Sequence, residues 1–297
     1  MSRSVGVIGL GIMGSAISAN LVRAGFETFG YDVLPARRKV LERAGGIATQ
    51  SAAQVVAHTS IALTSLPSVA ALDRVARELA RNGRRGGIVL ETSTLPIEDK
   101  LRARAVLGAA GMTLLDCPLS GTGAQAKTGD LSVYASGPRK AYDAAVPVFE
   151  GFARSHYFLG AFGNGSKMKF VANLLVAIHN VSAAEAFVLG MKAGLAPRTI
   201  LRVAGDGAGA SRMFQVRGPM MVAGRYRKAT MKNEVWQKDM KIIRAFARAL
   251  GVRTPLFDAS ATVYAAAMQR GYAEQDTAAV CAVLEGMAGL KRKRRQT

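Results

Sequence analysis

Residues 4–32 read SVGVIGLGIMGSAISANLVRAGFETFGYD, and this stretch decides the fold. Ser4 to Ile8 is a run of small and β-branched residues that predicts a short strand. Gly9, Gly11 and Gly14 follow in G-x-G-x-x-G spacing, then a helical pattern from Ser15 to Ala24 that Gly25 stops. Glu27 to Tyr31 predicts a second strand, ending at Asp32. A glycine turn between a strand and a helix, with an acidic residue at the end of the next strand, is the setting in which this spacing carries weight. Gly9 makes the tight turn, Gly11 lets a pyrophosphate reach the backbone, and Gly14 lets the helix pack on the strand. Leu10, Ile12 and Met13 complete a turn expected to hold phosphates at a helix N-terminus, where unpaired N–H groups and the dipole favour anions. Asp32 can accept from the two hydroxyls of an adenosine ribose and would repel a 2′-phosphate, which favours NAD. Arg37 and Arg38 lie near enough in sequence to weaken that preference, so NADP stays open.

Outward from this unit, the pattern alternates to about Phe162. Ile61 to Leu66, Gly87 to Glu91, Thr113 to Leu115 and Val133 to Ala135 predict strands; Val69 to Arg81 and Glu98 to Ala110 carry helical spacing. Such alternation predicts βαβ units and a doubly wound parallel sheet of Rossmann type. In those sheets ligands gather at the carboxyl ends of strands, where Ser65-Leu66-Pro67 and Ser93-Thr94-Leu95-Pro96 fall. The loop from Asp116 to Gly137 is the most polar in the chain. Ser120, Gly121 and Thr122 would offer a hydroxyl and successive N–H groups to a carboxylate. A bulge that needs glycine for its backbone accounts for the same residues equally well.

From Gly163 the chain changes character. Ser166 to Leu189 runs without Gly or Pro, rich in Ala, Leu, Val and Met, and predicts a helix of roughly 35–40 Å. Lys169 and Asn173 stand four apart, on one face. A lysine and an amide on a mostly apolar helix are costly to bury without a purpose, although a snorkelling lysine and a local cap are the ordinary explanation. Pro197 to Met240, Ile242 to Gly251, Phe257 to Arg270 and Asp276 to Leu290 predict helices with loops between, and no strand is expected after about residue 165. The organisation expected is a nucleotide-binding domain over 1–164, an all-helical domain over 165–290, and a basic tail over 291–297.

Bulk properties narrow the partners. Lys and Arg total 40 against 20 Asp and Glu, a formal charge of +20. Arg212 to Lys232 holds six basic residues and no acid, and the tail reads KRKRRQT. Such a surface attracts anions. No nucleic-acid motif accompanies it, so a solvated basic face with a frayed tail is expected rather than a nucleic-acid site. Cys117 and Cys281 cannot frame a small disulfide fold, and no His/Cys cluster has metal-ligand spacing; no metal is expected, and a reducing cytoplasm suits the chain. Residues 1–19 could pass for a signal peptide, but their glycine spacing has the better explanation above. No run of 18 apolar residues occurs, so no membrane span is expected.

From about Val5 to Met287 the chain resembles the β-hydroxyacid dehydrogenase family, which includes 3-hydroxyisobutyrate dehydrogenases and tartronate semialdehyde reductases. Val7-Ile8-Gly9-Leu10-Gly11-Ile12-Met13-Gly14, continuing to Asn20-Leu21, is similar to its N-terminal signature. Leu66-Pro67 and Thr94 match its cofactor-contacting loops. Asp116-x-Pro118-x-Ser120-Gly121 resembles its substrate loop, with Thr122 and Gln125 where glycines are usual. Gly163-x-Gly165-x-x-x-Lys169-x-x-x-Asn173 resembles the opening of its catalytic helix, and Lys238-Asp239 a pair near the nicotinamide.

The resemblance implies an NAD(P)-dependent oxidoreductase of a small 3-hydroxy carboxylic acid or its semialdehyde. Lys169 would be the general acid/base, its charged form disfavoured by burial and by Lys238. Asn173 would hold the substrate hydroxyl or Lys169. Ser120, Gly121 and Thr122 would take the carboxylate, and Lys238 would fix substrate and nicotinamide. The helical domain over 165–290 would then serve substrate binding and dimerisation, and a homodimer or tetramer is implied. An imine reductase on the same architecture, or a cofactor-bound nucleic-acid reader using the basic surface, are the alternatives.

Overall fold

The computed structural model describes residues 4–292. The chain divides into two compact units after Lys169, five residues beyond the boundary expected from sequence.

The first unit builds β1 (Ser4–Ile8), α1 (Ile12–Arg23), β2 (Glu27–Tyr31), α2 (Pro35–Arg43), β3 (Ile47–Ala48), α3 (Ala52–His58), β4 (Ile61–Thr64), α4 (Val69–Asn82), β5 (Ile88–Glu91), α5 (Ile97–Ala109) and β6 (Thr113–Asp116). There follow β7 (Leu119–Ser120), α6 (Gly123–Lys127), β8 (Ser132–Ala135), α7 (Arg139–Phe152) and β9 (Ser155–Phe158). The six-stranded sheet has the order β3-β2-β1-β4-β5-β6, with every pairing parallel. Its strands alternate faces with the period of two that a pleated strand imposes. Val5 and Val7 of β1, Leu63, Leu90 and Leu115 face one core, together with Ile17 and Leu21 of α1 and Phe149 of α7. Ile8, Ala62, Val89 and Leu114 face the other, with Val55 of α3, Leu72 and Leu79 of α4 and Leu107 of α5. Burial on both faces explains why the strands read as near-continuous apolar runs. All carboxyl ends of the parallel strands lie at one edge, so Gly9, Asp32, Ser65, Thr92 and Cys117 begin loops on the same side.

A second sheet, β7-β8-β9, pairs β7 with β8 antiparallel and β8 with β9 parallel. It joins the first through a bridge between Asp116 and Ser136. Sequence reasoning passed over β9, whose Ser-His-Tyr-Phe pairs with β8 along its whole length and adds a His156–Tyr142 hydrogen bond of 2.6 Å. The strand expected to reach Leu66 stops at Thr64, because the N–H of Leu66 turns away to the Ser93 hydroxyl at 2.8 Å.

Helix α8 (Asn164–Lys192) straddles the division and is 29 residues long, about 43 Å at the usual rise. Its length and a window hydropathy of 1.6 would suffice to cross a membrane. The buried Lys169, Asn173 and Asn180 mark it instead as a packed helix of a folded domain. The second unit continues with α9 (Pro197–Asp206), α10 (Arg212–Ala223), α11 (Asn233–Ala249), α12 (Pro255–Gln269), a 3₁₀ turn (Thr277–Ala279) and α13 (Val280–Met287). No strand follows β9 among the described residues. The break expected near residue 241 is absent: α11 runs through it, since nothing between Met240 and Ile242 disfavours helix.

Polar residues organise this unit. Asp276 is fully buried and accepts from Arg217 Nε at 3.2 Å, Thr230 N at 2.7 Å, Thr230 Oγ1 at 2.8 Å, Met231 N at 3.2 Å and Ala278 N at 2.9 Å. Burial alone would raise its carboxyl, but the Arg217 guanidinium and these N–H groups hold it below the ordinary value. Asn180 donates to Tyr264 Oη and to the Thr277 carbonyl, both at 2.9 Å. Phe187 stacks on Phe214, ring centres 5.1 Å apart. The basic surface expected from sequence loses one member to this interior, and a second is partly covered. Arg217 is 3% exposed, and Arg292, expected in the tail, pairs with Glu285 and donates to the Val222 carbonyl at the end of α10. Residues 293–297 of the expected tail lie outside the described residues.

Candidate active site

The glycine turn has the shape that its spacing requires. Gly9 adopts φ +91°, and a Cβ there would stand 2.2 Å from the Ser65 carbonyl oxygen. A Cβ on Gly14 would stand 1.9 Å from the Gly9 carbonyl, so the helix packs on the turn only without a side chain. Around Gly11 the space is open: its nearest neighbour to a Cβ would be Arg37 at 3.9 Å. No side chain caps α1, and its first turn carries no acid, which leaves its N-terminus to an anion. These features fit a dinucleotide pyrophosphate.

Asp32 is 5% exposed and well supplied with donors. Leu10 N donates to Oδ2 at 2.8 Å and Leu34 N to Oδ1 at 2.9 Å, while Arg37 Nη1 lies 3.2 Å from Oδ2. Arg38 donates to the Asp32 carbonyl at 3.0 Å and lies 5.8 Å from the centre of the Tyr31 ring. A carboxylate has about four acceptor positions, and three are used here. That leaves one for a ribose hydroxyl, and a second when Arg37, half-exposed, moves off. The repulsion of a 2′-phosphate expected from Asp32 is offset by the same arginine.

The loops after β4 and β5 are tied together. Ser93 Oγ takes the Leu66 N–H, Ser93 N donates at 2.7 Å to Oε1 of the buried Glu91, and Thr64 Oγ1 bonds the other oxygen of that carboxylate. Leu66, Pro67 and Thr94 are thereby held at the carboxyl edge of the sheet. Glu91 escaped sequence reasoning because a lone acid at a strand end gives no signal of its own.

The expected substrate loop differs in one respect. Thr122 caps α6, and Gln125 closes a capping box with it. The N–H of Thr122 donates to Gln125 Oε1 at 3.0 Å, so it is not a carboxylate donor in this conformation. Ser120 and the N–H of Gly121 remain for that role. Thr122 and Gln125, which stand where glycines are usual, therefore act as a pair. Asn20 of α1 donates to the Ala126 carbonyl at 2.7 Å and seats α6 on the nucleotide turn's own helix.

Lys169 ends the first unit and is 9% exposed. One turn on, in the second unit, Asn173 is 4% exposed and donates to Asp239 Oδ2 at 3.0 Å. Lys238 Nζ lies 3.5 Å from Asp239 Oδ1, so its charge faces a carboxylate rather than standing alone. Two of the three histidines are engaged elsewhere: His58 stacks on Phe29 at 4.8 Å and His156 bonds Tyr142. Among the described residues no three His, Cys, Asp or Glu side chains converge as metal ligands.

Two family matches, one after the other, cover nearly the whole chain. Residues 4–160 match the family described as the NAD binding domain of 6-phosphogluconate dehydrogenase. Residues 163–284 match that of NADP-dependent 3-hydroxyisobutyrate dehydrogenase. The chain is 33% identical to an L-threonate dehydrogenase of Cupriavidus necator, over 97% of this chain and 98% of that one. It is 28% identical to glyoxylate/succinic semialdehyde reductase 2, chloroplastic, of Arabidopsis thaliana, over 95% of this chain and 79% of the other. The crystal structure of a 3-hydroxyisobutyrate dehydrogenase from Salmonella typhimurium superposes with a TM-score of 0.86 at 29% identity, covering 94% of this chain and 99% of that one.

Proposed function

The chain belongs to the β-hydroxyacid dehydrogenase family, and from that premise we propose how its own residues perform the reaction. It is an NAD(P)-dependent oxidoreductase of small hydroxy acids. Lys169 is the proton carrier: its Nζ takes the hydroxyl proton as the alcohol is oxidised and returns it in the reverse direction. The observation that carries this reading is the burial of that lysine on an apolar helix, one turn from a buried amide. Asn173, oriented by Asp239, holds the substrate hydroxyl, and Lys238 assists at the substrate and nicotinamide. Ser120 and Gly121 take the carboxylate. Gly9 to Gly14, Asp32, Leu66, Pro67 and Thr94 hold the dinucleotide, and Arg37 admits NADP beside NAD. The bound nicotinamide supplies the hydride acceptor, and the protein supplies alignment, charge and the proton path.

Relatives at 28–33% identity along nearly the whole chain favour hydroxyacid over imine chemistry. Arg217, counted toward an anion-binding surface, is an internal counter-ion of Asp276, and the partly exposed Arg292 is paired with Glu285, which weakens the nucleic-acid alternative. The substrate test is reduction of NAD and of NADP on a panel led by threonate and 3-hydroxyisobutyrate, with glyoxylate and succinic semialdehyde in reverse. Turnover of none of these, with either cofactor, would overturn the reading. A homodimer accompanies it, supported by the exposed row Met168, Val171 and Leu175 on α8. Elution at twice 31.3 kDa tests that. The two buried, free thiols support a cytoplasmic setting.

A further inference from the structure

We propose that Asp116 pins the first turn of α8 to the end of β6, with Lys100 as its counter-ion, and thereby positions Lys169. The inference rests on the reading of Lys169 as proton carrier, but its evidence is independent of that role. Asp116 is fully buried, and every acceptor position of its carboxylate is engaged. Oδ1 accepts from Lys100 Nζ and from Ser166 Oγ, each at 2.8 Å. Oδ2 accepts from Ser166 N at 2.7 Å and from Ser136 Oγ at 3.3 Å. The Ser136 hydroxyl in turn accepts from Gly165 N at 2.9 Å. Two orphan N–H groups of the helix's first turn are thus satisfied from two strand ends, and the carboxylate faces the positive end of the helix dipole.

The close approach is built in. A Cβ on Gly165 would stand 2.2 Å from the Tyr134 carbonyl and 2.7 Å from that of Asp116, so the helix begins here only because residue 165 is glycine. Asp116 precedes Ser120 by four residues, and Ser166 precedes Lys169 by three. One carboxylate therefore sets the axial position and rotation of the turn that carries the amine, relative to the strand that delivers the loop of Ser120. A buried ion pair is weak evidence for stability, since apolar residues of like volume commonly do as well. A pair whose carboxylate bonds a helix's own backbone does something apolar residues cannot. A misplacement of about 1 Å near reacting groups can cost on the order of a hundredfold in rate. Asp116 and Lys100 are positioning residues: neither needs to touch the substrate.

The test compares Asp116→Asn, Lys100→Met and the double variant in the full chain. Lys100→Met strands a buried carboxylate and lowers Tm; adding Asp116→Asn removes that charge and restores Tm. kcat stays down about ten- to a hundredfold in Asp116→Asn and in the double variant, with NADH Kd within about threefold of the parent. Amide exchange from Ser166 to Lys169 accelerates at least about tenfold in both. Recovery of kcat together with Tm in the double variant would overturn the proposal, as would unchanged exchange in Asp116→Asn. Should Asp116→Asn not fold, Ser166→Ala, which removes one donor from Oδ1, carries the exchange test. Turnover surviving in Lys169→Ala would overturn only the proton-carrier reading, and the exchange data would still judge the pin.

Discussion

Replacing Arg37 by alanine is expected to separate the two nicotinamide dinucleotides. Asp32 keeps its bonds from Leu10 N and Leu34 N in this variant, so the turn holds its shape. The Arg37 side chain is 47% exposed, and its ion pair with Asp32 is worth about 0–1 kcal/mol to folding, so Tm stays put. What changes is the charge beside the ribose. At an effective dielectric of about 20, unit charges about 5 Å apart interact by about 3 kcal/mol. A 2′-phosphate facing an uncompensated Asp32 would lose about that much, roughly a hundredfold in Kd. NADH, which lacks that phosphate, should weaken at most about threefold, the loss of one modest contact. Fluorescence titration with NADH and NADPH measures both, and the NADPH penalty should shrink at high salt as the charges are screened. Equal weakening of the two dinucleotides, or unchanged NADPH binding, would refute the reasoning.

In the helical unit, Asp276→Asn breaks a buried pair from one side and should cost about 3–5 kcal/mol by chemical denaturation. Because the folded-state carboxyl lies below its ordinary value of 3.8, its contribution is full above that value and lost as pH falls through the lower folded value. Acidification below that ordinary value should therefore lower the stability of this unit, followed by circular dichroism during chemical denaturation, and the variant should show a flatter acid limb. At the substrate loop, Gln125→Ala opens the capping box and frees the Thr122 N–H. KM for the hydroxy acid should move by about two- to tenfold with cofactor Kd unchanged, and an unmoved KM would remove that N–H from consideration.

The nucleotide unit was legible because its signals are local. The glycine turn, the alternating strands and Asp32 each declare themselves within a few residues, and period-two burial on both faces explains the rest of the sheet. For Lys169 and Asn173 the spacing of four on an apolar helix showed only that they share a face, and their roles were read from the family resemblance. The groups that hold these residues were not. Lys100 and Asp116 are sixteen residues apart and meet Ser166 fifty residues further on, so no local pattern announces them. Arg217 and Arg292 read as solvated charge because a basic run gives no hint that one member turns inward to Asp276 and another folds back onto Glu285. Thr122 and Gln125 looked like two separate departures from a glycine pattern; only the capping geometry shows that one compensates the other.

The most direct measurement is kcat of Lys169→Ala on the hydroxy acid that the parent enzyme turns over, with NADH Kd measured on the same preparation. With that amine as the proton carrier, kcat falls at least about a hundredfold while cofactor affinity stays within about threefold, and a small primary amine added to the buffer restores part of the rate. Undiminished turnover in the alanine variant would contradict it.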